Sequence, residues 1–425
     1  MNLMREQYFR RNCAQHTISV ASALFGECRT EGNAEFAELC DRIVRTPEWS
    51  VAVSAATRTF FCVLGWETVT AFLHIMLSGC KEERPVAEAP TPLDVQRIAV
   101  AASPAEGGAM KMSWILVAIL TFLLALVVLS YIVEALRPAP KRPEILLWAP
   151  RIPIDYADLG GIRVRCIKAG VGPNLVLLHT LRTQLDMFEK IIPELEEHFT
   201  VHAFDYPGHG WSDIPKAAYA PEDFYQWTVV YLDKLDIARA AVVGVSIGGT
   251  LSLMLAARQN PRVTRIIAVN PYDYWPAGGI RKSSLAARLV FTPSEVPVLG
   301  ATIMRLRNRY VSDRIFEGGL ASPKALPKEL AEELYKVGAR PGHYRGFLSL
   351  LAHERLWPKA RNEYASIKVP VLLVYGEDWA PLVERERTRL LIPSVATEIV
   401  CNGSHFLSLD RPRELQNLIV GFARD

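Results

Sequence analysis

The chain has no C-x-x-C pair, although it carries seven cysteines. That excludes the common zinc-ribbon and thiol-redox spacings, so no metal site is expected. Five of the cysteines (Cys13, Cys28, Cys40, Cys62, Cys80) fall in the first fifth of the chain; Cys166 and Cys401 lie in strand-like runs and read as packing residues. Charge of one sign is lacking too. Lys and Arg total 48 against 45 Asp and Glu, a net charge of +3, and no basic stripe stands out. Nucleic acid is therefore not an expected partner. No internal repeat is visible. What 425 residues do allow is at least one large buried core, with room for a second region.

One long run does carry no charge: "WILVAILTFLLALVVLSYIV", residues 114–133. As a helix it spans about 30 Å, the hydrocarbon thickness of a bilayer. A transmembrane helix is expected at 113–134, with Trp114 and Tyr131 as interfacial aromatics. Arg137, Lys141, Arg142 and Arg151 follow it, while Lys111 is the near basic residue before it, which favours a cytoplasmic C-terminal part. A second apolar stretch, 59–77, contains Glu67 and His74, so it reads either as a second span or as a packed or interfacial helix. Residues 1–80 form an N-terminal helical region without a legible motif, and 81–112 read as an Ala, Pro and Glu-rich linker. The "MKMSW" at Met110 has the form of a signal-anchor start, compatible with translation from there.

From residue 152 onward short apolar runs recur: 162–168, 174–179, 200–204, 240–245, 265–269, 370–375 and 397–401. Each suits a strand buried on both faces. Helical patterns separate most of them, at 185–198, 220–235 and, after the last, 414–423. This alternation predicts an α/β fold with a mostly parallel sheet flanked by helices. Ligands in such sheets sit beyond the carboxyl ends of the strands, so reactive residues are sought just after each run.

Ser246 is one. In "GVSIGG", Gly244 to Gly249, it follows a strand and opens a helix. The tight turn needs small neighbours, lifts the hydroxyl above the sheet and leaves the N–H of Ile247 free for an oxyanion. Neutral serine needs a base. His405, in "CNGSHFLSLDRP" after the last strand, is the best placed of nine histidines. His179 ends a strand, but its neighbours suit an oxyanion loop. The base needs an acid to hold its tautomer. Asp378 in "VLLVYGEDWAPL" is favoured, with the adjacent Glu377 and Asp273 of "NPYDYW" as alternatives.

At this point the chain resembles the α/β-hydrolase family over 152–425. "VLLHT" is similar to the strand that ends in His-Gly, "FDYPGHGWSD" (204–213) to its D-x-P-G-x-G-x-S turn, and "GEDW" and "GSHFLSLDRP" to its acid and histidine loops. The resemblance implies a Ser246–His405–Asp378 triad, an oxyanion hole from the N–H groups of Leu181 and Ile247, and a helical cap over about 272–364. Two departures stand out. Thr180 replaces the glycine after the first histidine, and threonine resists positive φ, so either that loop is expected to differ or Thr180 to lend its hydroxyl. The acid loop is also one residue short.

Asp205, Gly208 and Gly210 are expected to set a turn. Arg182 is expected at the surface, with an anionic substrate group as the alternative reading. Phe347, Trp357 and Trp275 are expected to fill the cap's core, with lining a pocket as the alternative reading. The function these readings predict is a membrane-anchored serine hydrolase without cofactor. Its expected partners are the membrane and a small acyl or ester substrate, with a lipid-like acyl group as one reading. A serine at the elbow disfavours haloalkane and epoxide chemistry, for which the family uses a carboxylate. The contrasting class is a non-catalytic binding or scaffold protein on the same fold.

Overall fold

A computed structural model describes residues 105–274, 284–377, 379–400 and 402–424. The readings for 1–80, for the apolar stretch 59–77, and for Trp275, Asp378 and Cys401 lie outside the described residues.

Helix α1 covers Ala105–Ala135 and contains a stretch, Leu116–Ala135, long and apolar enough to cross a membrane. Most side chains of that stretch are exposed, Leu116 and Phe122 by more than half, so it is not a core helix of the sheet domain. The chain then forms β1 (Ile154–Asp158), β2 (Arg163–Ala169), β3 (Asn174–Leu178), β4 (Thr200–Phe204), β5 (Ala240–Val245), β6 (Val263–Val269), β7 (Val371–Gly376) and β8 (Val395–Val400). These make one sheet in the order β1-β2-β4-β3-β5-β6-β7-β8. From β4 to β8 neighbouring strands are parallel, while β2 runs antiparallel to both β1 and β4. The seven predicted strands are all present. The eighth, β1, is short and at the edge, with alternating exposure and an acid at each of two positions, and so lacks the continuous apolar signal.

The central strands are apolar at successive positions because each face meets a different core. Val176, Leu178 and Val242 join Phe224, Tyr231 and Leu251 on one side. Leu175, Leu177, Val243 and Val245 join Phe188, Leu415 and Ile419 on the other. The helices packed on these two faces are α2 (Ile192–Leu195), α3 (Pro221–Lys234), α4 (Ile247–Ala257) and, at the end of the chain, α12 (Pro412–Ala423). The helix predicted over 185–198 is broken: a 3-10 turn at Leu185–Phe188 precedes α2, where Pro193 begins a new turn because it has no N–H to continue an old one.

Between β6 and β7 lie α5 (Leu285–Phe291), α6 (Pro297–Arg305), α7 (Arg309–Glu317), α8 (Lys328–Gly338) and α9 (His343–Ala352). They share a small core of their own around Phe291, Met304, Ile315, Tyr344 and Phe347. Phe347 thus packs as expected, while Trp357 is fully buried in the core of the sheet instead. After β7 come α10 (Leu382–Leu391), β8 and α11 (Leu407–Asp410).

The C-terminal end of α1 is bolted to these inserted helices. Glu134 Oε2 accepts from Arg307 at 2.7 Å and from Arg137 at 3.1 Å, and its Oε1 accepts the N–H of Gly342 at 2.8 Å. Arg137 donates in turn to the carbonyls of Arg305 and Arg307 at 2.8 Å each. Arg305 lies 3.7 Å from the centre of the Tyr131 ring and donates to Ser130 Oγ at 3.2 Å. All three ionic side chains of the Glu134 cluster are nearly covered. Removing one partner of such a pair strands the other in low dielectric, at about 3 kcal/mol. Glu134→Ala is therefore expected to lower the melting temperature by about 6–10 °C, and Arg307→Met in the same background to add little. Thermal unfolding of the two single variants and the double variant in detergent checks this coupling.

Candidate active site

The strand order reverses at β3, which has β4 on one side and β5 on the other. Loops leaving β3 and β5 therefore diverge and open a crevice at their carboxyl ends. Leu178 of β3 is level with Gly244 of β5, and Val245 with Val269 of β6. The segments that follow, from His179, Ser246 and Asn270, emerge side by side.

Ser246 sits at φ 57°, ψ −115°, between β5 and the first residue of α4. A non-glycine residue there is strained, and the backbone holds it in place. Its N–H donates to Val269 O at 2.8 Å, and its carbonyl accepts from Thr250 at 3.0 Å and Tyr272 at 3.1 Å. The glycines are required by space. A Cβ on Gly244 would lie 2.0 Å from the carbonyl oxygen of Gly248, and one on Gly248 would lie 2.3 Å from that of Leu178.

One pocket brings together Ser246, His405, Leu181, Ile247, Thr180 and Arg182, roofed by Ile315 and Phe316 of α7. Ile247 opens α4, so its N–H has no intrahelical partner. Neither it nor the N–H of Leu181 meets an acceptor among the described residues.

The loop after β3 is fixed by His179. Its Nε2 accepts the N–H of Tyr206 at 3.1 Å, so Nδ1 carries the proton and donates to Thr180 O at 2.7 Å. Both nitrogens are spent on backbone, which agrees with a loop-holding role. The positive φ falls on Arg182, at 56°, rather than on Thr180. Threonine avoids the conformation it resists, and the turn is displaced two residues along the chain. Arg182 is not the surface residue expected; it lines the pocket.

His405 is buried. Its N–H donates to Gly319 O at 3.0 Å, and its ring stacks on Trp379 with centroids 4.1 Å apart. Nδ1 has no hydrogen-bond partner among the described residues. Burial pushes its pKa down to about 3. The sequence reading overlooked Asn270, at φ 44° just past β6. Its Nδ2 donates to Ser404 O at 3.0 Å and His405 O at 3.1 Å, and its Oδ1 accepts the N–H of Gly376 at 3.1 Å. One amide thus ties the end of β7 to the histidine loop. An asparagine directly after an apolar run, a residue type that tolerates αL, was the available signal.

Of the candidate acids, Glu377 is exposed and accepts the N–H of Asn402 at 2.9 Å. Asp273 is fully buried, but Arg361 holds one oxygen at 3.2 Å and Thr388 the other at 3.0 Å. Asp205 sets its turn as expected: it accepts the N–H groups of Trp211 and Leu185, both at 2.8 Å, and pairs with Arg165. No metal-ligand cluster is present among the described residues.

Three of the four further buried histidines are held lowest, with a consequence for stability. Burial holds His179 and His209 down to about 3, and His343 well below its ordinary value. Unfolded, each titrates near 6.5. Because the folded values are lowered, the unfolded chain binds more protons once the pH falls below about 6.5. Stability is therefore full above that point and lost on acidification, by about 2 kcal/mol per histidine at pH 5. Urea unfolding at pH 7 and pH 5 is expected to show this loss, reduced by replacing His343 with Gln.

Residues 173–412 match the alpha/beta hydrolase fold family. The chain is 25% identical over 285 residues to the carboxylesterase YbfK of Bacillus subtilis, covering 66% of this chain and 90% of that one. It is 27% identical over 277 residues to 2-hydroxy-6-oxo-2,4-heptadienoate hydrolase of Pseudomonas putida, covering 62% and 93%. Among solved structures it is similar to the enol-lactonase from Burkholderia xenovorans LB400, with a TM-score of 0.53, 25% identity, and coverage of 63% and 99%.

Proposed function

The chain belongs to the α/β-hydrolase fold family and is a hydrolase; from that premise we propose that it is a membrane-anchored serine hydrolase cleaving carboxylic esters. Ser246 is the nucleophile and His405 the general base. Asp378 orients the imidazole, and the N–H groups of Leu181 and Ile247 receive the oxyanion.

The observation that carries this reading is the meeting of Ser246, His405 and two unclaimed N–H groups in one pocket. Ser246 Oγ attacks the ester carbonyl while His405 Nε2 takes its proton. The tetrahedral oxyanion rests between the two N–H groups. The imidazolium then protonates the leaving alkoxide, and water repeats the sequence to release the acid. Asp378 is the favoured acid because its competitors are occupied, Glu377 by Asn402 and Asp273 by Arg361 and Thr388. It is also next to Trp379, which stacks on the His405 ring.

Membrane anchoring is supported by α1 and by what lies beside it. Helix α6 packs on α1, and Leu285 and Leu289 of α5, Val296 just before α6, and Val298 and Leu299 of α6 are exposed. An apolar strip continuous with an apolar helix suits an interface with lipid. The basic residues after α1 favour the cytoplasmic side for the catalytic domain.

A fluorophosphonate probe tests the reading. The folded protein is expected to be labelled on Ser246, and replacement of His405 with Ala to slow labelling by orders of magnitude. A folded wild type that takes no label would leave the scaffold reading instead.

A further inference from the structure

Arg182 has no part in the chemistry above, yet it lines the same pocket as Ser246 and His405. Three observations set it apart. Its guanidinium meets no carboxylate and no hydrogen-bond acceptor among the described residues; its neighbours there include the face of Phe347, 4.8 Å from Cζ to the ring centre, and Gly338 of α8. A second cation, Arg307, lies near it. Burial and nearby Arg307 hold its pKa down to about 10, and it opposes protonation of His209 and His343. Nε2 of His343 and Nε of Arg340 are themselves buried without a partner. Finally, its backbone is at φ 56°, which costs about 1–2 kcal/mol for an L-residue. The loop is held there by Thr183, whose N–H and Oγ1 both donate to Thr180 O, at 3.3 and 2.8 Å.

An arginine that merely needed solvent gains nothing from that conformation. A partly buried cation with no counter-charge among the described residues is costly, and it lines a pocket that a ligand can share. Phe347 covers one face of the guanidinium, and no acceptor among the described residues claims its N–H groups. That edge matches two oxygens of a carboxylate or phosphate.

We propose that the substrate is an anionic acyl compound, such as the half-ester of a dicarboxylic acid, whose carboxylate or phosphate pairs with Arg182 while its scissile carbonyl rests against Ser246. This rests on the serine-hydrolase reading. Arg182 stays protonated throughout and exchanges no proton; it positions the acyl chain and selects for charge.

The test uses three fluorophosphonate probes of equal chain length on the full-length protein in neutral detergent. One ends in a carboxylate, one in a phosphate and one in a neutral methyl ester. At least one anionic probe is expected to label Ser246 about tenfold or more faster than the neutral probe, the range of a charge-assisted hydrogen bond. Arg182→Met is expected to bring that ratio close to one, and Arg182→Lys to retain part of it. The faster of the two anionic probes identifies the anion. A wild-type ratio near one overturns the inference, as does a ratio unchanged in Arg182→Met. Absence of label from all three probes on folded protein removes the hydrolase reading, and this inference with it.

Discussion

Ser246→Ala is expected to abolish ester turnover, by at least about 10⁴-fold, with the fold intact. The two halves of this prediction have separate causes. The strained conformation at 246 is imposed by backbone bonds to Val269, Thr250 and Tyr272, all of which alanine can make. No hydrogen bond of the Ser246 hydroxyl supports the fold among the described residues, so its removal leaves packing unchanged. The chemistry, by contrast, has no second nucleophile. Leu181 and Ile247 would still bind an oxyanion, but nothing would form the acyl-enzyme. Steady-state hydrolysis of short p-nitrophenyl esters, run beside a thermal melt, reads both halves. Turnover retained within tenfold of wild type, with the melt unchanged, would rule out Ser246 as the nucleophile.

Arg165→Leu is expected to be the most damaging single change to stability. Arg165 lies on β2 with 1% of its surface exposed. It donates to both oxygens of Asp205, at 2.7 and 3.2 Å, and to Asp186. Asp205 also gathers the N–H groups of Leu185 and Trp211, so one cation ties the glycine turn to the loop behind Leu181. Its loss leaves two buried carboxylates facing each other, at about 3–5 kcal/mol, a fall in melting temperature of about 10 °C. The variant's pH dependence has a definite sign. Without Arg165, burial and mutual repulsion raise the folded-state carboxyl values above those of the unfolded chain. The penalty is then full at neutral pH and shrinks as the pH falls and one carboxyl takes a proton. The deficit relative to wild type, followed by urea unfolding from pH 8 to pH 5, is expected to narrow. A constant deficit would mean that the lost packing of the side chain dominates.

Local chemistry was legible wherever the signal was short-range. Continuous apolar runs announced the central strands, because both faces of those strands are covered. The G-x-S-x-G-G turn announced itself through the absence of side chains where backbones approach. Periodicity failed at 185–198, where a proline and tight 3-10 geometry replaced the regular helix, and at β1, whose edge position removes the need for apolar residues. The role of Asn270 was missed for another reason. Its partners, Gly376, Ser404 and His405, are more than a hundred residues away, and nothing in the neighbouring sequence encodes them.

Spacing and residue type by themselves determined the sheet, the elbow serine, the candidate histidine and an apolar helix of bilayer length, since each depends on the nearest few residues. Tertiary structure alone decided that Arg182 turns inward, that Asp273 is claimed by Arg361, and that Glu134 joins the apolar helix to the inserted helices. Those outcomes depend on which charges are buried next to which, and burial of charge is settled by the packing of distant segments.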